Sequence, residues 1–291
     1  FQVTFFRSRV DATQGLQSRF AARQLVFAHA AITDVQGKRL WHDQRIAREG
    51  FDVASTATTD ARLKLRDWTL GRDRDAWRTR IPAQEFDLNL AFAPTQPVLL
   101  QGRDGLSRKG PEAKQASYYY SLPQLATRGT LTLRGQRFEV QGQAWLDHEW
   151  SEELLHPDAV GWDWIGMNLH DGAALTVFRL RRADGSALWA GGSWRPAGGA
   201  VQVFDEGSVA FTAVRHWTSP HSGARYPVQW QMETPAGRFE VRALVDDQEL
   251  DSSASTGAIY WEGLSDLHDA KGQSVGRGYL EMTGYARALR L

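Results

Sequence analysis

Alternation of apolar and polar residues with a period of two constrains the fold of this chain more than any other feature. Four apolar residues share one face of the clearest such run: Phe86, Leu88, Leu90 and Phe92. A period of two is typical of strands that are buried on one face. A helical period is hardly found anywhere, and short helices or loops are expected only at residues 11–23 and 151–160. The pattern therefore predicts an all-β protein.

Glycine-containing turns separate the predicted strands. Five of them stand between two strand-like runs: Gln36-Gly37, Gly135-Gln136, Asp184-Gly185, Ala236-Gly237 and Lys271-Gly272. A short turn of this kind joins antiparallel neighbours in a hairpin. Antiparallel strands at this spacing predict β-sandwiches or β-barrels.

The length of the chain predicts more than one domain. It has 291 residues, and a domain usually takes about 100–200. The run Ser-Glu-Glu-Leu-Leu-His-Pro-Asp at 151–158 breaks the alternation, and a proline cannot sit inside a central strand. Strand-like patterns resume at Gly161. We therefore predict two β domains of similar size, residues 1–156 and residues 157–291.

Composition and missing motifs exclude several functional classes. Lys+Arg and Asp+Glu both number 34, so the net charge is zero and no nucleic-acid partner is expected. The chain has no Cys, which excludes disulfides, thiolate nucleophiles and Cys-ligated metals. The motifs of a serine nucleophile elbow, a zinc protease, a P-loop and a dinucleotide site are absent. We expect no cofactor and no metal, and interpret the loop 102–110 as a solvated hairpin loop.

Six of the 12 tryptophans lie between residues 145 and 194, and the first segment of this stretch is dense in reactive groups. In a strand, Trp145, Asp147 and Glu149 point to one face, while His148 and Trp150 point to the other. A carboxyl beside apolar rings has a raised pKa and can act as a general acid, with His148 as proton partner. A hydrogen-bonded strand at the domain junction explains the same residues equally well.

Asp163 stands between Trp162 and Trp164 in the next predicted strand, so it points away from both rings. If the rings belong to a core, Asp163 lies outside it or in a cleft. If Asp163 lines a cavity, the rings form an interface patch. Aromatic packing between two domains is the favoured explanation.

Other strands also combine aromatic and acidic residues. Two strands carry both on one face: Tyr260 with Glu262, and Tyr279 with Glu281. Three successive tyrosines cover both faces of another strand: Tyr118, Tyr119 and Tyr120. Inward acids in a hydrophobic barrel indicate a ligand cavity. His29, on the same face as Phe27, is more simply explained as a hydrogen-bonded core histidine.

Several segments together give the chain a family resemblance over nearly its whole length. They are Phe-Ala-His-Ala (27–30), Ser-Arg-Lys-Gly (107–110), Ser-Tyr-Tyr-Tyr-Ser (117–121), Trp-Leu-Asp-His-Glu-Trp (145–150), Gly-Trp-Asp-Trp (161–164), Tyr-Trp-Glu-Gly (260–263) and Gly-Tyr-Leu-Glu-Met-Thr-Gly-Tyr (278–285). They resemble the bacterial lipocalin-like family that contains carotenoid 1,2-hydratase (hydroxyneurosporene synthase) and the AttH-type secreted hydrolases. The Glu-Trp-Trp-Tyr motif with which the family usually opens is absent here.

The resemblance implies two tandem lipocalin-like antiparallel β-barrel domains. It also implies a secreted or periplasmic protein, with a signal peptide expected in a segment before Phe1, and for some members a membrane ABC transporter as partner. In the hydratase branch it implies a role for a His-x-Trp pair and a nearby acid. His148 and Trp150 match that pair. The candidate acids are Asp163, Asp147 and Glu149.

Hydration of an isolated alkene accounts for these residue types. A positioned acid protonates the double bond, and aromatic faces stabilise the carbocation that results. We therefore expect an aromatic-lined cavity at the domain junction that acts on an apolar isoprenoid or lipid-like molecule by acid-catalysed hydration. The ligand-binding candidates are Trp150, Trp162, Trp164, Tyr118, Tyr119, Tyr120, His29, Tyr260, Glu262 and Glu281.

Two alternatives stay open at this point. One is a non-catalytic carrier of a hydrophobic ligand that serves an envelope ABC transporter. The other is a secreted hydrolase that activates water with a histidine and a carboxylate. The residues alone do not decide whether the chain is an enzyme of the carotenoid 1,2-hydratase type. A small hydrophobic molecule is the expected partner, and a monomer is the expected state.

Overall fold

A computed structural model describes residues 1–152 and 155–289 and confirms the all-β prediction. Regular structure in these residues is antiparallel strand, apart from one 3-10 turn at Asp11–Thr13 within the segment 11–23. The described part of the segment 151–160 contains no helix. Residues 153 and 154 of that segment lie outside the described residues. No helix in the described ranges is long and apolar enough to cross a membrane.

The N-terminal half, residues 1–152, contains two sheets. The first has the order β1-β2-β3 and consists of β1 (Gln2–Arg9), β2 (Gln24–Asp34) and β3 (Arg39–Arg48). The second has the order β10-β11-β8-β7-β6-β5-β4, with β9 and β12 also paired to β11. Its strands are β4 (Ala54–Thr56), β5 (Arg62–Leu65), β6 (Trp68–Asp73), β7 (Ala76–Pro82), β8 (Phe86–Ala93), β9 (Leu99–Leu100), β10 (Leu106–Arg108), β11 (Ala116–Leu133) and β12 (Gln136–Trp150).

The C-terminal half, residues 155–289, forms one sheet. Its order is β16-β15-β14-β13-β22-β21-β19-β18-β17, with β20 paired to β21. The strands are β13 (Gly161–Leu169), β14 (Ala174–Arg181), β15 (Ala187–Arg195), β16 (Gln202–Phe204), β17 (Ala210–Thr218), β18 (Arg225–Thr234), β19 (Gly237–Ala243), β20 (Glu249–Ser252), β21 (Ala258–Asp269) and β22 (Ser274–Met282). Among the described residues, each strand ladder stays within one half. The domain boundary at residue 156 itself stays a prediction.

The five predicted hairpins are all present. They join β2 to β3, β11 to β12, β14 to β15, β18 to β19 and β21 to β22. The turn between β11 and β12 shows why glycine is needed there. Gly135 has a φ of 80°, and Arg134 before it has a φ of 48°. A residue without Cβ adopts that left-handed conformation at low cost.

Each half encloses an apolar core that follows from the alternation. The apolar face of β8 is buried in the N-terminal core, as predicted. In β13, Ile165 and Met167 are fully buried in the C-terminal core. Trp162 and Trp164, on the other face of β13, pack with Phe178 outside that core. This outer face of the C-terminal sheet lies against the N-terminal half.

Buried polar contacts join the two halves. The Gln124 amide nitrogen, at a bulge in β11, donates to Asn168 Oδ1 at 2.8 Å. Gln101 Nε2 donates to Thr176 Oγ1 at 3.0 Å and accepts at Oε1 from Ser193 Oγ at 2.7 Å. A buried polar group must keep its hydrogen bonds to avoid a large desolvation cost. These contacts therefore fix β11 and the segment after β9 against β13, β14 and β15.

Candidate active site

Four carboxyl groups meet between the two halves. Asp147 and Glu149 project from β12, Glu262 from β21 and Glu281 from β22. Glu262 and Glu281 are direct cross-strand partners, and Trp164 is the partner of Glu281 on its other side. The three side chains therefore form a row across neighbouring strands, on the face that looks away from the C-terminal core.

Hydrogen bonds hold the two acids of β12. Asp147 Oδ1 accepts from Ser121 Oγ at 2.5 Å and from Trp145 Nε1 at 2.8 Å. Glu149 accepts from Ser117 Oγ and forms an ion pair with Lys109 Nζ at 2.9 Å. Protein surrounds both acids, yet both side chains stay accessible to solvent. Asp147 and Glu149 therefore line a recess between β12 and the C-terminal sheet.

Burial shifts three of the carboxyl groups towards their neutral form. It raises the pKa of Asp147 to about 6, against hydrogen bonds from Ser121 and Trp145. It raises the pKa of Glu281 to about 7, and the charges of Glu149 and Asp147 add to this effect. Burial and the neighbouring Glu281 raise the pKa of Glu262 well above its usual range. A carboxyl whose pKa lies near neutrality can donate a proton at physiological pH.

Aromatic rings line the same space. Trp162 lies beside the Glu281 carboxyl, and Trp164 lies beside the buried Tyr119. Trp164 and Trp145 both approach Gly166, where a side chain would overlap the Trp164 ring. Lys109 places its ammonium 4.9 Å from the centre of the Tyr119 ring, within cation–π distance. Acids and π faces therefore surround one recess. Among the described residues, no group of three or more His, Cys, Asp or Glu side chains is arranged to hold a metal ion.

The other face of the β11–β12 hairpin carries a separate aromatic cluster. Tyr118 stacks on Trp150 with ring centres 5.5 Å apart, and Tyr120 lies edge-on to His148 at 5.1 Å. Tyr120 Oη and His148 Nδ1 are hydrogen-bonded at 3.0 Å. Burial lowers the pKa of His148, so its neutral form is favoured. The hairpin thus divides the predicted residues, with Asp147, Glu149 and Tyr119 on one face and this cluster on the other.

Asp163 lies apart from both groups, on the core-facing side of β13. It is fully buried and forms ion pairs with Arg179 Nε at 2.7 Å and Arg181 Nε at 3.0 Å. It also accepts a hydrogen bond from Tyr285 Oη at 2.8 Å. Two guanidinium groups are the ion-pair partners of this buried carboxylate. Asp163 is therefore part of the buried structure, where a substrate does not reach it.

His29 is buried and fully hydrogen-bonded at the junction of the first sheet with the C-terminal half. Nδ1 is paired with Tyr260 Oη at 2.8 Å and Nε2 with Ser255 Oγ at 2.9 Å. Burial lowers the pKa of His29 to about 4. Gln2 Nε2 donates to both Tyr260 Oη and Glu262 Oε2. A chain of hydrogen bonds therefore runs from His29 through Tyr260 and Gln2 to the Glu262 carboxyl.

Sequence comparison shows the family of this chain. The AttH-like family matches residues 1–285. The chain belongs to the AttH-like family. This agrees with the resemblance seen in the motifs, whereas the narrower likeness to carotenoid 1,2-hydratase stays a prediction. No curated protein matches the chain.

Solved structures share the fold of this AttH-like chain. The crystal structure assigned to AttH from Nitrosomonas europaea matches with a TM-score of 0.90 and 46% identity, over 97% of this chain and 86% of that chain. Kievitone hydratase from Nectria haematococca matches with a TM-score of 0.71 and 16% identity, over 91% and 80%. CghA matches with a TM-score of 0.54 and 11% identity, over 99% and 86%. The last two likenesses show the fold alone.

The sequence interpretation missed several residues of the AttH-like site. Lys109 belongs to the loop that was predicted to be solvated, yet its side chain is turned towards Glu149. Ser117 and Ser121 share the face of Tyr119 by the period of two, and that signal was available. Gln2 reaches Glu262 from the first sheet. Nothing in the local pattern of Gln2 predicts its contact with Glu262, because 260 residues separate them.

Proposed function

We propose that this AttH-like protein adds water to a carbon–carbon double bond of an apolar, isoprenoid or lipid-like molecule. The observation that supports the proposal best is the pKa of about 7 for Glu281, in a row that also contains Trp164. A neutral carboxyl beside an aromatic ring combines the proton donor and the cation-stabilising face that alkene hydration requires.

In the proposed reaction, Glu281 gives its proton to one alkene carbon, and the other carbon becomes a tertiary carbocation. The faces of Trp162 and Trp164 stabilise that cation. A water oxygen then bonds to it and loses one proton to the Asp147 carboxylate. Asp147 has a pKa of about 6 and is mostly ionised at neutral pH. The proton returns to Glu281 through solvent, so water is the only reactant consumed with the alkene.

This assignment moves the acid role away from Asp163, the first acid candidate from the sequence. Asp147 stays in the site as the base, and Glu149 stays as the partner of Lys109. The shared fold supports the class of reaction, because kievitone hydratase, whose name states a hydration, has the same architecture. At 16% identity this likeness says nothing about the substrate.

Incubation with a panel of prenyl-type alkenes in ¹⁸O-labelled water tests the proposal. Wild-type protein is expected to give labelled tertiary alcohols, and Glu281→Gln is expected to lower turnover about 100-fold or more, since general acids contribute at least that much. Activity should fall above pH about 7 as Glu281 ionises, and below about 6 as Asp147 becomes protonated.

Glu233→Gln is the matched control, because Glu233 is an exposed residue in an ion pair with Arg238. It should keep full turnover. No labelled product from folded wild-type protein across the panel, or full turnover in Glu281→Gln, would contradict the proposal.

Carriage of a hydrophobic ligand without chemistry is the second candidate. The stacked pair of Tyr118 and Trp150 favours it, because these rings are 56% and 50% exposed. Mass spectrometry of ligand extracted from the purified protein distinguishes the two. A carrier keeps one unchanged apolar ligand in wild type and Glu281→Gln alike.

A further inference from the structure

An exposed apolar patch lies at one end of the first sheet, away from the acids. It is formed by the loop after β1 and the turn after β3, and we call it the N-terminal patch. Its apolar members are Leu16, Phe20, Phe51 and Val53, which are 50%, 67%, 47% and 37% exposed. Phe20 and Phe51 stack on each other with ring centres 5.6 Å apart. The stacked and exposed ring pair, with two more exposed apolar residues in the same two loops, makes this surface a candidate interaction site.

Hydrogen bonds order the backbone of the loop that carries part of the patch. The loop after β1 is closed by a hydrogen bond from the Val10 amide to the Arg23 carbonyl at 3.0 Å, and Thr13 Oγ1 donates to the Ala22 carbonyl at 2.7 Å. Phe51 and Asp52, in the turn after β3, both have a φ of 58°. Two successive left-handed residues without glycine are costly, and such strain persists where the surroundings impose it. The fold thus holds Phe51 outward.

Arginines surround the rings. Arg48 lies 3.9 Å from the centre of the Phe51 ring, and Arg19 lies 5.6 Å from it. Arg23 anchors the loop by donating to the Leu16 carbonyl at 2.8 Å. Within residues 1–152 and 155–289, no ion pair uses Arg19, Arg23 or Arg48. The chain as a whole has zero net charge, so this positive charge is local.

We propose that the N-terminal patch docks the protein on the surface of an anionic phospholipid bilayer. Phe20, Phe51 and Leu16 would insert at the boundary between head groups and acyl chains, while Arg19 and Arg48 would bind lipid phosphates. Apolar side chains flanked by Arg19 and Arg48 match that interface in polarity, and the acidic Asp52 beside them is paired with Lys64. The proposal does not depend on the hydratase activity. Docking would place the protein on a bilayer, in which apolar molecules dissolve.

Sedimentation with vesicles tests the docking. The protein is mixed with vesicles of phosphatidylcholine alone, or of phosphatidylcholine with about one-third phosphatidylglycerol. We expect binding to the anionic vesicles that weakens at high salt, and little binding to the neutral ones. Arg19→Gln with Arg48→Gln should weaken binding about 30-fold, since each basic residue near the surface contributes about fivefold.

Phe20→Ser with Phe51→Asn should weaken binding about tenfold or more by removing apolar insertion. Asparagine tolerates the left-handed conformation at position 51, so the turn is kept. The matched control is Val214→Ser, which removes an exposed apolar side chain of the C-terminal half. The proposal is wrong if wild type does not bind anionic vesicles at low salt, or if the Phe20 and Phe51 variants bind as tightly as Val214→Ser does.

Discussion

At the scale of single residues, Asp147 and Asp163 show how surroundings set the role of one side-chain type. Hydroxyl and indole groups surround Asp147 in the recess, and its pKa is raised to about 6 by burial. Asp163 lies between Arg179 and Arg181. The first carboxyl can exchange a proton near neutral pH. The second is the ion-pair partner of Arg179 and Arg181.

Asp163→Asn should therefore act on stability. Removing one partner of a buried ion pair leaves uncompensated charge and costs about 3–5 kcal/mol of unfolding free energy. Denaturant unfolding followed by circular dichroism measures this loss, with the exposed Asp75→Asn as control. Unchanged stability together with lost turnover would instead show that Asp163 is the catalytic acid.

At the scale of secondary-structure elements, the β11–β12 hairpin organises the site. Tyr119 pairs with Glu149 and Ser121 with Asp147, so both strands present acids and hydroxyls to the C-terminal sheet. The alternate residues of the same strands present Tyr118, Tyr120, His148 and Trp150 to the other side. One hairpin thus carries two chemically different faces. Predicting the strands was enough to separate the faces but not to say what each one meets.

Gly166 of β13 tests how closely the hairpin packs on the C-terminal sheet. A methyl group there would overlap Trp164 and press on Trp145. Gly166→Ala should cost about 1–3 kcal/mol of unfolding free energy through overpacking, and displace the Trp164 ring. Thermal unfolding and tryptophan fluorescence measure these effects.

Gly142→Ala is the matched control for this packing test, because a Cβ at Gly142 of β12 meets nothing within 4 Å. It should be neutral or stabilise by about 0.5 kcal/mol. Equal changes in unfolding free energy for the two substitutions would mean that the contact between Gly166 and Trp164 leaves room for a methyl group.

At the scale of the whole molecule, association of the two halves concentrates acidic groups. Glu281 has a folded pKa of about 7, and an unfolded glutamate has a pKa of about 4.3. Between these values the folded state binds more protons than the unfolded state. Rising pH must therefore lower the unfolding free energy over that interval. An ion-paired carboxylate, whose pKa is lowered by folding, has the opposite effect: its contribution to the unfolding free energy rises with pH.

The difference in unfolding free energy between wild type and Glu281→Gln should fall as the pH rises from about 4.5 to about 7.5. Glutamine cannot ionise, so the variant lacks this contribution. Urea unfolding at a series of pH values measures the difference, with the exposed Glu233→Gln as the reference variant. A difference between wild type and Glu281→Gln that does not change with pH would show that Glu281 titrates normally in the folded protein.

The amino-acid sequence by itself determined the local features of this protein. Alternation predicted the strands and which residues share a face in β8, β12 and β13, and glycine turns predicted five hairpins. These depend on neighbouring residues and on backbone sterics, which a chain expresses locally. The motifs also pointed to the AttH-like family.

Only the tertiary structure decided which residues share a site. Asp163 and Glu281 look alike as acids next to aromatic residues in the sequence, yet one faces two arginines in the core and the other faces Asp147 across the junction. Lys109, in the loop after β10, and Gln2, in β1, join the acids from distant parts of the chain. Such proximity, and the burial that shifts a pKa, arise from how sheets pack on each other. The period of a strand says which residues share a face, but not what lies opposite.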